Sequence, residues 1–295
     1  MNQRHAFKLV VAAVFTILNI MVLQAHAERE RYLRLVTGDI SSREFEATGE
    51  LVKKLSAGDG FVASSSASPT AEAAQRVLKI GGADVAVLPP ELAADSGFST
   101  LASLDHQPFL ILVRRDRHPA SVLELTGWRL ALGPRSSETF RHNVFMLSAL
   151  GLSRGSYRVV GGMDMETRLR HVLANRADAT VVEGEMDATA LEALRTGRLA
   201  VLEPAKGELD RALRRNVFLS RTVVTIPPDS NVATVSSAPA LMASAALPEE
   251  TARDILTRLA LPAKAADNPP TPLHPAAKAF FPDAQETEDT LYARP

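Results

Sequence analysis

Five short polar segments stand out, because each follows an apolar run and most precede a stretch of helical spacing. In an open α/β sheet, ligands bind beyond the carboxyl ends of the strands, next to helix N-termini. Small hydroxyl groups and free backbone N–H groups at such ends suit an anion. We therefore predict ligand contacts from Thr37, Gly38 and Asp39; Ser64, Ser65 and Ser66; Pro90 and Glu91; Arg135, Ser136, Ser137 and Glu138; and Glu183 and Gly184.

Arg135 is the predicted anchor, because a guanidinium group can hold a carboxylate or phosphate through two parallel hydrogen bonds. Each segment also has a purely local interpretation. A serine or threonine before a helix is often only an N-cap, an isolated arginine is often a solvated surface charge, and Glu183 can simply end a strand. The joint placement of the five segments at strand ends favours a binding cleft.

The sequence offers little to catalysis. It has no His-Glu-x-x-His motif and no phosphate-binding loop with lysine, and we expect no nucleophile elbow. It has no cysteine, which excludes disulfides, zinc-thiolate sites and a thiol nucleophile. The seven histidines are scattered, and His142 and His171 are expected on partly exposed helix faces. We expect no enzymatic activity, no cofactor and no metal site.

Two blocks of the chain alternate apolar strands with amphipathic helices. In the first block, strands are predicted at residues 32–36, 61–64 and 83–88, and helices at 41–55 and 70–80. In the second block, strands are predicted at residues 128–132, 157–160 and 179–182, and helices at 138–150, 166–175 and 187–196. This alternation predicts mainly parallel sheets with helices on both faces.

The chain is expected to form two lobes with a ligand cleft between them. The first lobe is predicted from residues 28–112 and 220–295, and the second from residues 113–219. Runs rich in β-branched residues at 217–226 and 232–242 are interpreted as strands that return the chain to the first lobe.

The first 27 residues have the features of a cleavable signal peptide. Arg4 and Lys8 precede an apolar run at 9–23, and small residues at Ala25 and Ala27 suit signal peptidase. A membrane span needs about 20 residues, so cleavage is expected in preference to the alternative, an uncleaved anchor. No cysteine follows the apolar run, which excludes a lipoprotein anchor. We predict a periplasmic protein.

Charge argues against a nucleic-acid partner. The predicted signal peptide contains two basic residues and no acidic one, so its removal changes the formal net charge from −1 to −3. No basic stripe is available to neutralise phosphates.

Five ordered motifs resemble those of the TAXI-type solute receptors of TRAP transporters. They are Val-Thr-Gly at 36–38, Gly-Gly-Ala-Asp-Val-Ala-Val at 81–87, Leu-Thr-Gly-Trp-Arg-Leu-Ala-Leu-Gly-Pro-Arg-Ser-Ser at 125–137, Arg-Ala-Asp-Ala at 176–179 and Pro-Leu-His-Pro-Ala-Ala at 272–277. The resemblance covers most of the mature chain. It implies a two-lobed type II periplasmic binding protein, crossed twice by the chain. It also implies a small organic anion, a carboxylate or amino acid, as ligand and a membrane permease as partner.

The chain departs from the family pattern at three positions. Ser42 stands where the family has Gly, Glu44 where it has the first Tyr of a pair, and Glu138 where it tends to have Gly. An acidic residue at 138 would repel an anion unless Arg135 offsets its charge. The ligand can therefore differ from the family norm, or the site can have decayed and the protein can bind a partner instead.

The leading hypothesis is a monomeric periplasmic receptor for a small organic anion. A second is a regulatory or interaction protein on the same scaffold, which senses a ligand or binds a membrane partner. An enzyme on this fold is the least favoured, because no pairing of a nucleophile with a base is apparent.

Overall fold

A computed structural model describes residues 31–282 except positions 41, 59, 95, 163 and 228. The predicted signal peptide, residues 1–27, lies outside the described residues. Within the part of the chain that is described, no helix combines the length and apolar character needed to cross a bilayer.

The strands of the described residues form two sheets. They are β1 (Arg31–Thr37), β2 (Phe61–Ala67), β3 (Val85–Leu88), β4 (Ser99–Ser103), β5 (Gln107–Arg114), β6 (Arg129–Ala131), β7 (Arg158–Val160), β8 (Ala179–Glu183), β9 (Leu199–Leu202), β10 (Ser220–Ile226), β11 (Ser230–Ser237) and β12 (Ala240–Ala243). The first sheet has the order β2-β1-β3-β12-β4, and β1 is parallel to both of its neighbours. The second has the order β10-β11-β5-β8-β6-β7, and β9 also pairs with β5. It is a mixed sheet, in which β6 is parallel to β7 and β8, whereas the partners of β5 are antiparallel to it.

Helices cover these sheets. They are α1 (Arg43–Leu55), α2 (Ala71–Lys79), α3 (Pro90–Ala93), α4 (Glu138–Ala149), α5 (Met165–Leu173), α6 (Ala188–Arg195), α7 (Lys206–Arg215), α8 (Glu249–Leu259) and α9 (Pro275–Phe280). Side-chain N-caps begin several of them, because a side-chain oxygen accepts a hydrogen bond from an otherwise unpaired backbone N–H three residues on. These caps are Ser42, Thr70, Ser137, Asp164 and Asp187.

Helices pack on both faces of each sheet. In the first sheet, α1, α8 and α9 pack on one face through Leu51, Leu256 and Ala277, and α2 packs on the other through Leu78. In the second sheet, α4 and α7 pack on one face, and α5 and α6 pack on the other. The predicted fold class, a two-lobed α/β protein of the type II periplasmic binding-protein kind, is confirmed. The prediction of mainly parallel sheets was wrong, because β12 and β5 are antiparallel to their neighbours.

The chain crosses between the sheets twice. It leaves the first sheet between β4 and β5, at residues 104–106, and returns between β11 and β12, at residues 238–239. The two crossings are joined by a backbone hydrogen bond of 2.8 Å from the Leu104 N–H to the Pro239 carbonyl oxygen. Two adjacent segments that connect two lobes form the geometry of a hinge.

The crossings differ from the strand assignment expected from the sequence. The β-branched runs were expected to lead back to the first lobe, but β10 and β11 pair with each other and with β5 in the second sheet. The short connection at 227–229 favours a local antiparallel hairpin, and only β12 returns to the first sheet. The lobe limits at 112/113 and 219/220 stay predictions.

One aspartate–arginine clamp occurs in each lobe. In the first lobe, Asp84 accepts hydrogen bonds from the backbone N–H of Arg34 (2.9 Å) and from its guanidinium group (2.8 and 3.2 Å). In the second lobe, Asp178 accepts the same set from Arg129, at 2.9 Å from the backbone and at 2.9 and 3.1 Å from the guanidinium group. These are the aspartates of the two Asp-containing motifs at 81–87 and 176–179. They attach the start of β3 to β1 and the start of β8 to β6, so their role in the fold is structural.

We expect Asp178→Asn to lower the free energy of unfolding by about 2 kcal/mol, because charged hydrogen bonds at a buried carboxylate are lost. Two guanidinium groups, of Arg129 and Arg117, hold the pKa of Asp178 down at about 2. Asp84→Asn should cost less, because the Asp84 side chain is 26% exposed and that of Asp178 is 6% exposed. Urea denaturation measures both variants.

The matched control for the clamps is Asp116→Asn, which removes an exposed carboxylate that pairs with Arg114. The control should leave the urea midpoint unchanged. Equal midpoints for the Asp178 and Asp116 variants would contradict a structural role for the clamp.

Candidate functional site

A cavity of about 890 Å³ lies between the two lobes. Its wall combines α1 of the first lobe, the start of α4, the start of α5, the end of β8 and the two crossings. A volume of this size suits a small solute.

Arg43, the first residue of α1, joins the lobes at the cavity. Its guanidinium group donates to the Ser237 hydroxyl (3.1 Å) on β11 and lies 3.4 Å from the Glu183 carboxylate on β8. It also donates to its neighbour Glu44 (3.1 Å). Burial alone would lower the pKa of Arg43, but the carboxylates of Glu183 and Glu44 outweigh burial and raise it. The arginine is therefore held as a cation among carboxylates of both lobes.

His142, on α4, forms a second charged contact between the lobes. Its Nδ1 lies 2.8 Å from Glu91 of α3, and its Nε2 lies 3.6 Å from Glu183. Burial would lower the pKa of His142, but the carboxylates of Glu183 and Glu91 overcome that effect and raise it. The same contact lowers the pKa of Glu91 against the effect of burial. The expectation that His142 lies on a partly exposed helix face was wrong, because its side chain is buried between the lobes.

Arg168, on α5, is a buried cation on the cavity wall. The residue is 6% exposed, and its Nε and Nη1 have no hydrogen-bond partner among the described residues. Its Nη2 faces the Met165 sulfur at 3.8 Å. Burial lowers the pKa of Arg168, and Glu183 and Asp164 oppose that shift only in part. A buried guanidinium group without full hydrogen bonding is costly, and an anion in the cavity would remove that cost.

The cavity wall is otherwise acidic. Glu183 also lines the cavity, and its Oε1 is buried without a hydrogen-bond partner among the described residues. Carboxylates outnumber arginine and lysine on the wall: they are Glu44, Glu46, Glu50, Asp105, Glu138, Glu183, Glu185 and Asp187, against Arg43, Lys54 and Arg168. The wall therefore offers a cationic anchor beside groups that accept hydrogen bonds.

Glu138, the first residue of α4, reaches across to the first lobe. Its carboxyl group accepts hydrogen bonds from the backbone N–H groups of Asp39 (3.3 Å) and Ala71. Burial and the nearby Glu44 raise the pKa of Glu138 to about 7.

The structure brings some of the predicted site residues to the interface between the lobes. Glu138, Glu183 and Gly184 line the cavity, and Glu91 contacts it through His142. Gly38 and Asp39 contact Glu138 instead of the cavity. Pro90 begins α3 and is buried, and Thr37 is buried at the end of β1, where its hydroxyl has no hydrogen-bond partner among the described residues.

Other predicted residues lie elsewhere. Ser64, Ser65 and Ser66 are not in a loop, because β2 continues to Ala67 and pairs with β1 over its whole length. They are exposed on this edge strand. Ser137 is buried as the N-cap of α4. Arg135 and Ser136 are exposed in the turn before it, outside the cavity wall.

Sequence reasoning missed Arg43, Arg168 and the burial of His142. A signal for Arg168 was present in the sequence. Gly161-Gly162 follows β7 and precedes α5, so it is a sixth segment between a strand end and a helix, like the five segments predicted to bind ligand. A side chain at Gly162 would collide with Arg168, so this glycine gives the arginine its room. Arg43 and His142 carried no signal, because their partners are far apart in sequence.

The expectation of no nucleophile elbow rested on the absence of a Gly-x-Ser-x-Gly motif, but the motif is present, because residues 151–155 read Gly-Leu-Ser-Arg-Gly. A nucleophile elbow joins a strand to a helix, whereas this stretch follows the C-terminus of α4 as a turn. Ser153 is exposed there, and its carbonyl oxygen accepts from the Ser156 N–H and hydroxyl. The motif therefore occurs without the elbow geometry.

Solved structures share this architecture. XAC2383 from Xanthomonas citri, solved bound to ATP, is 16% identical with a TM-score of 0.52, and the match covers 89% of this chain and 96% of that one. A TctC solute binding protein from Polaromonas is 16% identical with a TM-score of 0.48, covering 88% and 89% of the two chains. The periplasmic aliphatic sulphonate binding protein SsuA from Escherichia coli is 15% identical with a TM-score of 0.42, covering 89% and 92%.

The two lobes, their double crossing and the cavity between them define the fold of periplasmic solute-binding proteins. Residues 91–261, more than half of the chain, match the NMT1-like family, and the chain belongs to that family. No curated protein sequence matches it.

The raised pKa of His142 predicts a loss of stability with rising pH. The protonated imidazole is favoured in the folded state, so its contribution is complete below its ordinary pKa of 6.5 and is lost as the pH rises through the higher folded value. Midpoints of urea unfolding from pH 6.5 to 9 should fall for the wild type, and His142→Gln should flatten that fall.

The control for this pH dependence is His118→Asn, which changes an exposed histidine with a positive φ that asparagine tolerates. This variant should keep the wild-type slope. A slope that persists unchanged in His142→Gln would show that His142 does not link stability to pH.

Proposed function

We propose that this protein is an exported, non-enzymatic receptor that binds a small organic anion between its lobes and delivers it to a membrane permease. The observation that carries the proposal is the buried guanidinium group of Arg168 on the wall of the 890 Å³ cavity. The Nε and Nη1 of Arg168 have no hydrogen-bond partner among the described residues, and a carboxylate can accept hydrogen bonds from a guanidinium group. In this proposal Arg168, rather than the exposed Arg135, is the anchor.

The acidic wall defines the rest of the ligand. Several carboxylates around one anchor would repel a solute with many negative charges, such as the ATP to which XAC2383 is bound. The Oε1 of Glu183 lies 3.6 Å from the His142 Nε2 but makes no hydrogen bond, so it can accept one from a ligand. The solute class that meets both requirements has one acid group and at least one ammonium or hydroxyl group, as in an amino acid or a hydroxy acid.

The hinge at the two crossings supports capture and release of the solute. Opening the lobes would admit the solute, and closure would bury it against Arg168 and place the charged contacts of Arg43 and His142 around it. The five motifs that resemble TAXI-type receptors support a TRAP-type permease as the partner, and the predicted signal peptide supports a periplasmic location.

We expect one solute of this class to stabilise the mature protein, residues 28–295, in a thermal-shift screen. The panel contains amino acids, hydroxy acids, keto acids, dicarboxylates and organic phosphates. A ligand present at about 100 times its dissociation constant adds about 2.7 kcal/mol of stability. Arg168→Met should abolish the shift, and the matched control Arg135→Ala should keep it.

Arg168→Met also tests whether the arginine is merely structural. Methionine of similar length removes an incompletely paired buried charge, so the midpoint without solute should stay the same or rise. A large loss of stability in Arg168→Met, or a ligand shift that survives in that variant, would contradict the proposal. A complete panel without a shift on folded protein would do so as well.

A further inference from the structure

The first lobe contains a cradle for an anion, formed by the loop after β1 and the start of α2. The backbone N–H groups of Asp39 and Ala71 point into it. Ala71 is the first residue of the nine-residue helix α2, where the helix dipole and unpaired N–H groups favour negative charge. The cradle lies beyond the carboxyl ends of β1 and β2, the position at which open α/β sheets bind ligands.

The carboxyl group of Glu138, from the facing lobe, fills this cradle. Glu138 is 4% exposed and accepts from both N–H groups. The fit is close, because a Cβ atom added at Gly38 would collide with the Glu138 carboxyl group. Because Gly38 has no side chain, the Glu138 carboxyl group can approach the backbone of the first lobe as closely as a bound ligand would need to.

We infer that Glu138 determines specificity by occupying, with the protein's own carboxylate, the place of a ligand's second acid group. This inference rests on the proposed solute-binding function and deepens it. With the cradle filled, the acid group of a ligand is left to Arg168, so the receptor takes solutes with one acid group and excludes those with two. Removal of Glu138 opens the cradle to a second anion.

Charged groups of both signs surround Glu138. Arg141 on its own helix lies 3.4 Å away, and Glu72 of α2 lies 3.7 Å from that arginine. Glu44 of α1 repels the carboxylate, and together with burial it raises the pKa of Glu138 above its ordinary value. The surroundings of Glu138 therefore disfavour its ionised form. Residues that are unfavourable for stability are expected at functional sites.

The test is designed to work whether or not the solute is known. Inorganic sulfate is the probe, and Arg168→Met is the background, so that the proposed anchor cannot contribute. In this background Glu138→Ala should gain a saturable rise in melting temperature with sulfate that sodium chloride of equal ionic strength does not give. Glu138→Gln, which fills the cradle with an uncharged group of the same shape, should gain none.

Equal responses of the alanine and glutamine variants to sulfate would overturn the inference, because the cradle would then not bind anions. If the alanine variant fails to fold, Glu138→Ser replaces it as a smaller polar residue with the same expected response. A rise in melting temperature that appears only at molar sulfate would also overturn the inference, because it would show the binding of an adventitious ion only.

A second experiment compares the affinities of the protein for a monocarboxylate solute from the screen and for its dicarboxylate analogue. In a background with Arg168 intact, Glu138→Ala should raise the affinity for the dicarboxylate relative to the monocarboxylate at least tenfold. An unchanged ratio would contradict a role in specificity. If no solute in the screen stabilises the protein but sulfate stabilises the alanine variant, the proposed function is rejected and the anion-binding cradle is retained.

Discussion

The contact on which the closed arrangement depends is the buried charge network between the lobes. Arg43 of the first lobe reaches Glu183 and Ser237 of the second, and His142 of the second reaches Glu91 of the first. The side chain of His142 is 7% exposed and those of Arg43, Glu91 and Glu183 are 17–19% exposed, so each charge depends on its partner. Opening the lobes would expose these groups to solvent, which makes the closed state responsive to whatever fills the cavity.

Arg168 stands apart from this network. Arg43 and His142 form hydrogen bonds across the interface, although the Arg43 Nη1 makes none, whereas both the Nε and the Nη1 of Arg168 lack hydrogen-bond partners among the described residues. A paired buried charge contributes to the fold, and an incompletely paired one at a cavity wall indicates a ligand that completes it. In the proposed function, the paired charges hold the lobes together and Arg168 recognises the solute.

The sequence predicted the elements well and their long-range pairing poorly. Strand–helix alternation has a local cause in hydrophobic periodicity. The motif aspartates Asp84 and Asp178 directly precede β3 and β8, but the arginines that they bind are 50 and 49 residues away. By contrast, polar Ser64–Ser66 read as a loop because an exposed edge strand has no buried face to make it apolar. The position of Glu138 was recognised as a departure, but its partners, 99 and 67 residues away, could not be read from any local pattern.

A crystal structure of the mature protein with the solute that stabilises it most is the most direct test of the central claim. The account predicts an acid group of that solute within hydrogen-bond distance of the Arg168 guanidinium group, with a donor group of the solute at Glu183. A solute whose acid group binds at Arg135, or outside the cavity between the lobes with Arg168 still unpaired, would contradict it.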